Sequence, residues 1–508
     1  MRIARDACSS RAVQQMDPPM KHALPSHLAA LLGAALLVAC ASMDPASAPT
    51  RQVDAARLGA ASTSVDWPTD DWWHRYGDAQ LDRLVADGLA GNPSLDAARA
   101  RVARANAAAG VARAALLPQV SGNGGVTYQK YSENYIYPPP LAGNWQTDNR
   151  VTFDFVYEID FWNKNGAAFE AALSQAQAAG ADAQAARVVV TTGIARAYFN
   201  LQRLFTQRDV SRAAIAQRSE VVQITAQRYG AGLDTMVEVR QAEAALATVK
   251  TELAQYDEAI AVARNQLAAL VGAGPERGAV IVAVQPVTPP STAAPATIPL
   301  DLVARRADIV ASRWRVEAAQ HDVEVAKALF YPNVNIVAFA GFSSIGLSKL
   351  LMSSSSIAGV GPAIHLPIFE GGRLNANLRG RDAETNLAIS TYNQAVIDAV
   401  HDVADAVVSI AGLSHVAVEQ ARAKQATTAA YDIAVVRYKA GLGNYLSVLT
   451  AQTQQLVQDR LDADLKARAF ELDVNLARAL GGGYGDNPTL KLSAAPALGS
   501  AAVAPAPR

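Results

Sequence analysis

Arg228-Tyr229-Gly230-Ala231-Gly232-Leu233 returns 209 positions later as Arg437-Tyr438-Lys439-Ala440-Gly441-Leu442. The same register continues without a gap. It pairs Val239 with Val448, Ala242 with Ala451, Leu267 with Leu476, Gly272 with Gly481 and Gly274 with Gly483. Upstream, a second block repeats at 214, where Leu95, Arg101, Val102, Ala112, Pro118 and Val120 fall on Ile309, Arg315, Val316, Ala326, Pro332 and Val334. Unrelated helices share Ala and Leu by chance, but not an Arg-Tyr-x-Ala-Gly-Leu with matched glycine endings. The chain reads as one structural unit used twice.

The surroundings of the repeated hexapeptide say what that unit is. No proline occurs between Pro140 and Pro275, or between Pro367 and Pro488. Long Pro-free, Ala-rich stretches are helix territory. The pattern predicts helices at 93–117, 167–228 and 235–271 in the first half and at 303–330, 375–437 and 444–480 in the second, with the Gly-Leu segments as the turns. A helix over 167–228 would be about 90 Å long, too long for an ordinary globular domain. Such helices are expected to pair as coiled-coil hairpins. Aromatics are 6% of the 508 residues, which suits close-packed helices better than a thick core. The net charge of −1 offers no basic patch for nucleic acid.

A different period appears at 150–162. Val151, Phe153, Phe155, Tyr157, Ile159 and Phe161 alternate with Thr152, Asp154, Glu158 and Asp160, broken only by Val156. An edge strand of a soluble sheet would have to cover that aromatic face. A transmembrane strand, which needs about 9–11 such residues, would not. Weaker alternation marks strands at 119–131, 332–342 and 356–368. Four strands close no barrel, and open edges are not tolerated in lipid, so several copies must share one.

The N-terminus adds an address. An apolar run of about a dozen residues from Leu28 to Ala39 is too short to span a bilayer and fits a signal peptide. Leu37-Val38-Ala39-Cys40 resembles a bacterial lipobox, in which Cys40 would carry a diacylglycerol and an acyl chain after cleavage; a plain secretory signal is the alternative. Met20 is a plausible true start. The other cysteine, Cys8, would be lost with the signal, leaving no disulfide.

On these residues the chain resembles the TolC-like outer-membrane efflux channels, most closely their lipoprotein branch of the NodT type. The resemblance is carried by the lipobox, Trp72-Trp73 with Tyr76-Gly77-Asp78, Asn92-Pro93-Ser94-Leu95, Arg305-Arg306-Ala307-Asp308-Ile309, Phe330-Tyr331-Pro332, Leu366-Pro367-Ile368-Phe369-Glu370-Gly371-Gly372-Arg373, both hexapeptide turns and Leu480-Gly481-Gly482-Gly483. It implies a mixed α and β membrane protein: a homotrimeric outer-membrane β-barrel with four strands per chain, continued by a long periplasmic α-helical barrel. The implied organisation is a signal (1–39), a lipid-anchored linker and short helical segment (40–91), repeat 1 (92–285), a linker (286–302), repeat 2 (303–485) and a tail (486–508). The implied partners are outer-membrane lipids, a periplasmic adaptor and an inner-membrane transporter. The implied function is a passive exit duct for small molecules or drugs. Type I protein secretion and a non-pore coiled-coil scaffold are the alternatives; the scaffold leaves the 150–162 alternation unexplained.

No P-loop, HExxH, nucleophile elbow or CxxC occurs, so neither an enzyme nor a cofactor is expected. His401 and Asp405 are spaced for one helix face, but two ligands make no metal site. Arg228, Tyr229, Gly232 and Leu233, with Arg437, Tyr438, Gly441 and Leu442, are expected at the periplasmic tips that meet the adaptor, though the two arginines could equally complement helix dipoles. Family members often carry Asp in the second turn; here that position is Gly443, and Asp234 holds the equivalent place in the first. Asp234 is therefore the candidate gate residue, either as part of a negative ring or bonded to a neighbouring tip.

Overall fold

The computed structural model describes residues 43, 50–58, 67–284 and 301–485. Cys40, the signal, most of the linker at 286–302 and the tail from 486 lie outside the described residues. A turn of 3-10 helix at Trp72–Tyr76 precedes α1 (Ala79–Gly91). The first half then runs α2 (Pro93–Ala114), β1 (Gln119–Lys130), β2 (Trp145–Ile159), α3 (Lys164–Gly230) and α4 (Met236–Leu270). Short helices α5 (Pro275–Ala279) and α6 (Leu302–Arg305) follow. The second half runs α7 (Ala307–Ala328), β3 (Asn333–Ile345), β4 (Ser356–His365), α8 (Arg373–Lys439) and α9 (Tyr445–Ala479). Helix lengths match between the halves: α2 and α7 have 22 residues, α3 and α8 have 67, and α4 and α9 have 35. At 1.5 Å per residue the longest reach about 100 Å.

The repeated glycines have a packing reason. Gly272 and Gly481 both adopt positive φ, and an added Cβ would lie 2.0 Å from the Gly91 carbonyl and 1.9 Å from the Arg305 carbonyl, respectively. Only glycine lets the end of each hairpin press on the backbone leading into the short helix of its own half. Side chains seal the same junctions. Asn92 donates to the Leu270 carbonyl at 2.7 Å, and Arg306 to the Ala479 carbonyl at 3.4 Å. Buried Arg306 also pairs with Asp308 and Asp402.

The N-terminal segment docks on this level. Trp72, Trp73 and Tyr76 join Leu81, Leu84 and Val85 in a core with Ile194, Tyr198, Phe199, Phe470 and Val474. Tyr76 donates its hydroxyl to Asp473 Oδ2 at 2.5 Å, and Arg75 reaches the same oxygen at 2.5 Å. Asp78 caps α1 through the amides of Gln80 and Leu81 and accepts from the Tyr198 hydroxyl at 2.5 Å.

The strands form one antiparallel sheet in the order β1-β2-β3-β4, so β1 and β4 are its edges in the single chain. Register aligns the expected faces: Val151, Phe153, Phe155, Tyr157 and Ile159 stand opposite Phe342, Ala340, Ala338, Ile336 and Val334. Those residues in turn face Ser356, Ala358, Val360, Pro362 and Ile364. The strand limits differ from expectation. β2 starts earlier, at Trp145, and stops at Ile159, because the Phe161 amide turns back to the Ile159 carbonyl and Asp160 accepts from the Gly166 amide at 2.7 Å. Phe161 is therefore exposed beyond the strand. β4 ends at His365, before Pro367, leaving Leu366 and Ile368 outside it.

Candidate functional site

Two surfaces carry the expected functional residues: the outward face of the sheet and the tips of the hairpins. On the sheet, Phe153 is 67% exposed while Thr152 beside it is 2% exposed. On the opposite face Asp154 accepts from Asn123 at 2.6 Å and from Thr152 at 2.8 Å. That second face is less uniformly polar than the alternation suggests. Val156 pairs with Val337, and the Arg150 guanidinium lies 5.5 Å from the Phe339 ring, which lies over Gly359. The apolar face is bounded by aromatic pairs. Tyr128 and Trp145 stack at 5.2 Å at one end, and Trp162 and Tyr331 at 4.6 Å at the other. Aromatic rings at both ends of an apolar strand surface are what a bilayer interface favours. Among the described residues no helix is long and apolar enough to cross a membrane.

At the tips, each hexapeptide terminates a 67-residue helix in the same way. Gly232 and Gly441 take φ of +73° and +75°. The amides of Leu233 and Leu442 then bond back to the carbonyls of Arg228 and Arg437 at 2.9 and 2.8 Å. The next helices start differently. Thr235 caps α4 in a reciprocal pair with Glu238, whereas Asn444 caps α9 by accepting from the Ser447 amide and hydroxyl.

Asp234 is the centre of the first tip. Its carboxylate accepts from Arg228 at 2.8 and 3.3 Å and from the Tyr438 hydroxyl. Arg228 also donates to the Tyr438 carbonyl at 3.1 Å and lies 4.6 Å from the centre of its ring. One carboxylate thus joins the two tips of a chain, supported by Lys439 and Glu220 at 2.7 Å. The hydrogen bond from Arg228 holds the Asp234 carboxyl below its ordinary range. Burial, reinforced by Asp234, raises the Tyr438 phenol. The Asp234 carboxylate is therefore a bonded group, not a free charge, in this chain.

The other tip residues divide. Tyr229, Leu233 and Leu442 are exposed, the leucines by 64% and 71%. Tyr438 is 1% exposed, in a cluster with Val221, Ala242, Tyr431, Tyr445 and Val448, so its ring faces the hairpins rather than a partner. Arg228 is likewise committed to the joint. Arg437 reaches only the Leu442 carbonyl, at 3.5 Å. Gly443 has no steric need to be glycine, since an added Cβ would meet Arg437 at an ordinary 3.5 Å. No cluster of three or more His, Cys, Asp or Glu suited to a metal occurs among the described residues.

The chain thus joins a four-strand antiparallel sheet to helical hairpins about 100 Å long. The structure matches that of the outer membrane protein VceC from Vibrio cholerae with a TM-score of 0.78 and 39% identity, covering 83% of this chain and 100% of that one. It also shares its fold with the Campylobacter jejuni CmeC outer membrane channel, at a TM-score of 0.78 and 22% identity over 88% of this chain and 95% of that one. Residues 84–273 and 299–482 match the outer membrane efflux protein family, to which the chain belongs. Among relatives, the multidrug resistance outer membrane protein MdtP of Escherichia coli K12 is 31% identical over 91% of this chain and 98% of its own. The fusaric acid resistance protein FusA of Burkholderia cepacia is 37% identical over 70% of this chain and 69% of its own. The protein's function is efflux at the outer membrane.

Proposed function

We propose that three copies of this chain share one twelve-strand barrel and form the passive exit duct of a tripartite efflux pump. Small molecules or drugs would enter from an inner-membrane transporter through a periplasmic adaptor. The observation that carries the reading is a sheet with an outward apolar face, girdled by aromatic pairs, whose β1 and β4 edges are both left open. In lipid such edges must pair, and β1 of one copy can pair with β4 of the next. The exposed Leu233 and Leu442 support adaptor docking at the tips. The Asp234–Arg228–Tyr438 joint supports a closed resting state. The lipobox supports acylation of Cys40 and anchoring in the outer membrane. The test is the mass of the purified protein in detergent. Three chain masses with channel conductance in planar bilayers is the expected result; a monodisperse monomer with full strand content would overturn the barrel.

A further inference from the structure

Several arginines half-hidden in this fold pair with acids, while others such as Arg218 bond only to backbone carbonyls. Arg75 has Asp473 at 2.5 Å, Arg203 has Asp464 at 3.0 Å and Arg306 has Asp402 at 2.8 Å. Half-buried Arg196 on α3 and its exposed neighbour Arg478 on α9 pair with neither acid nor carbonyl. Neither side chain forms a hydrogen bond or ion pair among the described residues, and Nε of Arg196 is buried with no partner. Both line a cavity of about 300 Å³ between α3, α8 and α9. Leu472, Ala406 and Ala479 supply an apolar wall, and Asn475 contributes a buried Oδ1 that also lacks a partner. Burial first, and then the like charge of Arg478, push the Arg196 guanidinium below its ordinary range, with Glu471 opposing. A half-buried guanidinium held beside a like charge is costly unless an anion visits it. The acids on the cavity do not fill that need: Asp402 is held by Arg306, and Asp405 forms no ion pair among the described residues.

The cavity opens away from the N-terminal segment. On α9, Phe470, Val474 and Ala477 face that segment's aromatic core, whereas Leu472, Asn475 and Ala479 face the cavity. If the docked segment lies outside the tunnel, where it leaves the bore clear, the cavity opens onto the bore; this step rests on the duct proposed above. We infer that Arg196 and Arg478 form a binding station for a small organic monocarboxylate, its carboxylate on the two guanidinium groups and its apolar body against Leu472, Ala406 and Ala479. Arginine suits this role because its planar fork matches a carboxylate. Asp405 on the same wall disfavours a second negative charge on the ligand.

Equilibrium dialysis of the purified full-length protein with radiolabelled benzoate tests the station without requiring a pore. Saturable uptake of one benzoate per chain is expected, with phthalate competing more weakly. Arg196→Gln with Arg478→Gln should weaken binding roughly tenfold or more. Ala406→Phe, which fills the cavity from its apolar side and leaves both arginines, should do the same. The exposed pair variant Arg99→Gln should bind as wild type. Non-saturable uptake, equal binding by the double variant and the Ala406→Phe variant, or phthalate binding at least as tightly would each overturn the inference. Planar-bilayer conductance recorded in parallel separates the two proposals. Normal conductance without benzoate binding removes only the station, and saturable binding by a protein that never conducts removes only the duct.

Discussion

Replacing Asp234 by alanine should open the periplasmic end. The carboxylate accepts two bonds from Arg228 and one from Tyr438, and the side chains of the ion pair are 16% and 11% exposed. Hydrogen bonds to charged groups contribute about 1.5–3 kcal/mol each, but solvent near a tip screens them. A discounted loss of about 1–2 kcal/mol per chain is reasonable. Three such joints acting on one concerted opening would sum to about 3–6 kcal/mol, which moves the open-to-closed ratio by roughly two to four orders of magnitude. Single-channel recording in planar bilayers should show much higher open probability for Asp234→Ala than for wild type or for the distant Lys250→Ala. Tyr438→Phe should open the channel less, because the Arg228 bonds survive. Adding it to Asp234→Ala should change little, since both remove the same bond. The sign of the pH effect follows from the depressed carboxyl. The joint is fully stabilising above the ordinary value of 3.8 and is lost only as pH falls through the lowered one, so no acid-triggered opening is expected between about pH 5 and 8. An unaltered current–voltage curve for Asp234→Ala would retire the residue as a gate while leaving the fold intact.

Four other outcomes are expected. Phe155→Arg, on the face it shares with its cross-strand partners Val120 and Ala338, should cost roughly 2–4 kcal/mol of barrel stability, whereas arginine at Val156 or Asp154 should be far milder; heat-resistant oligomer on gels reads the difference, and equal damage would reject the alternation. Tyr76→Phe should cost about 1–2 kcal/mol by deleting the bond to Asp473, seen as a lower melting temperature and faster proteolysis within 67–91; an unchanged melt would show that the aromatic packing alone holds the segment. Gly481→Ala should be far more damaging than Gly230→Ala, because only the former would drive a Cβ into a backbone carbonyl, and folding yield decides between them. Cys40→Ala should leave the precursor uncleaved or mislocalised, and mass spectrometry of a normally cleaved but unacylated native N-terminus would contradict this.

Much of this architecture could be read from the residues because two simple periods dominate it. Absence of proline marked the long helices to within a few residues, since proline is the one residue a helix interior does not tolerate. Alternation marked the strand faces, and the register aligns Val151, Phe153 and Phe155 with the alternating apolar residues of β3. Strand ends were less legible. The stop at Ile159 depends on Asp160 reaching the Gly166 amide, and β2 begins at Trp145 because β1 continues to pair with it through Lys130. The joint on Asp473 and the arginine-lined cavity were invisible for a related reason. Arg75 and Asp473 lie almost at opposite ends of the chain, and no spacing rule connects them.

The tips show how two halves with matching helix lengths come to do different work. Backbone geometry is the same at both, as the matched positive-φ glycines and back-bonded leucine amides require. Chemistry is not. The first tip holds the acid Asp234 and the arginine that grips it, while the second supplies the buried tyrosine and has glycine at the acid's equivalent position. The joint is therefore asymmetric: one half contributes the charge pair and the other the hydroxyl and carbonyl it closes on. An aspartate at Gly443 would meet no steric bar, and would stand near Arg437, which now has only a 3.5 Å contact with a carbonyl. Gly443→Asp should then create a second charge pair and raise the threshold for opening. Single-channel open probability below wild type is the expected reading. A rise in open probability would mean that repulsion from Asp234 outweighs the new pair, and that charge density rather than pairing governs the tip.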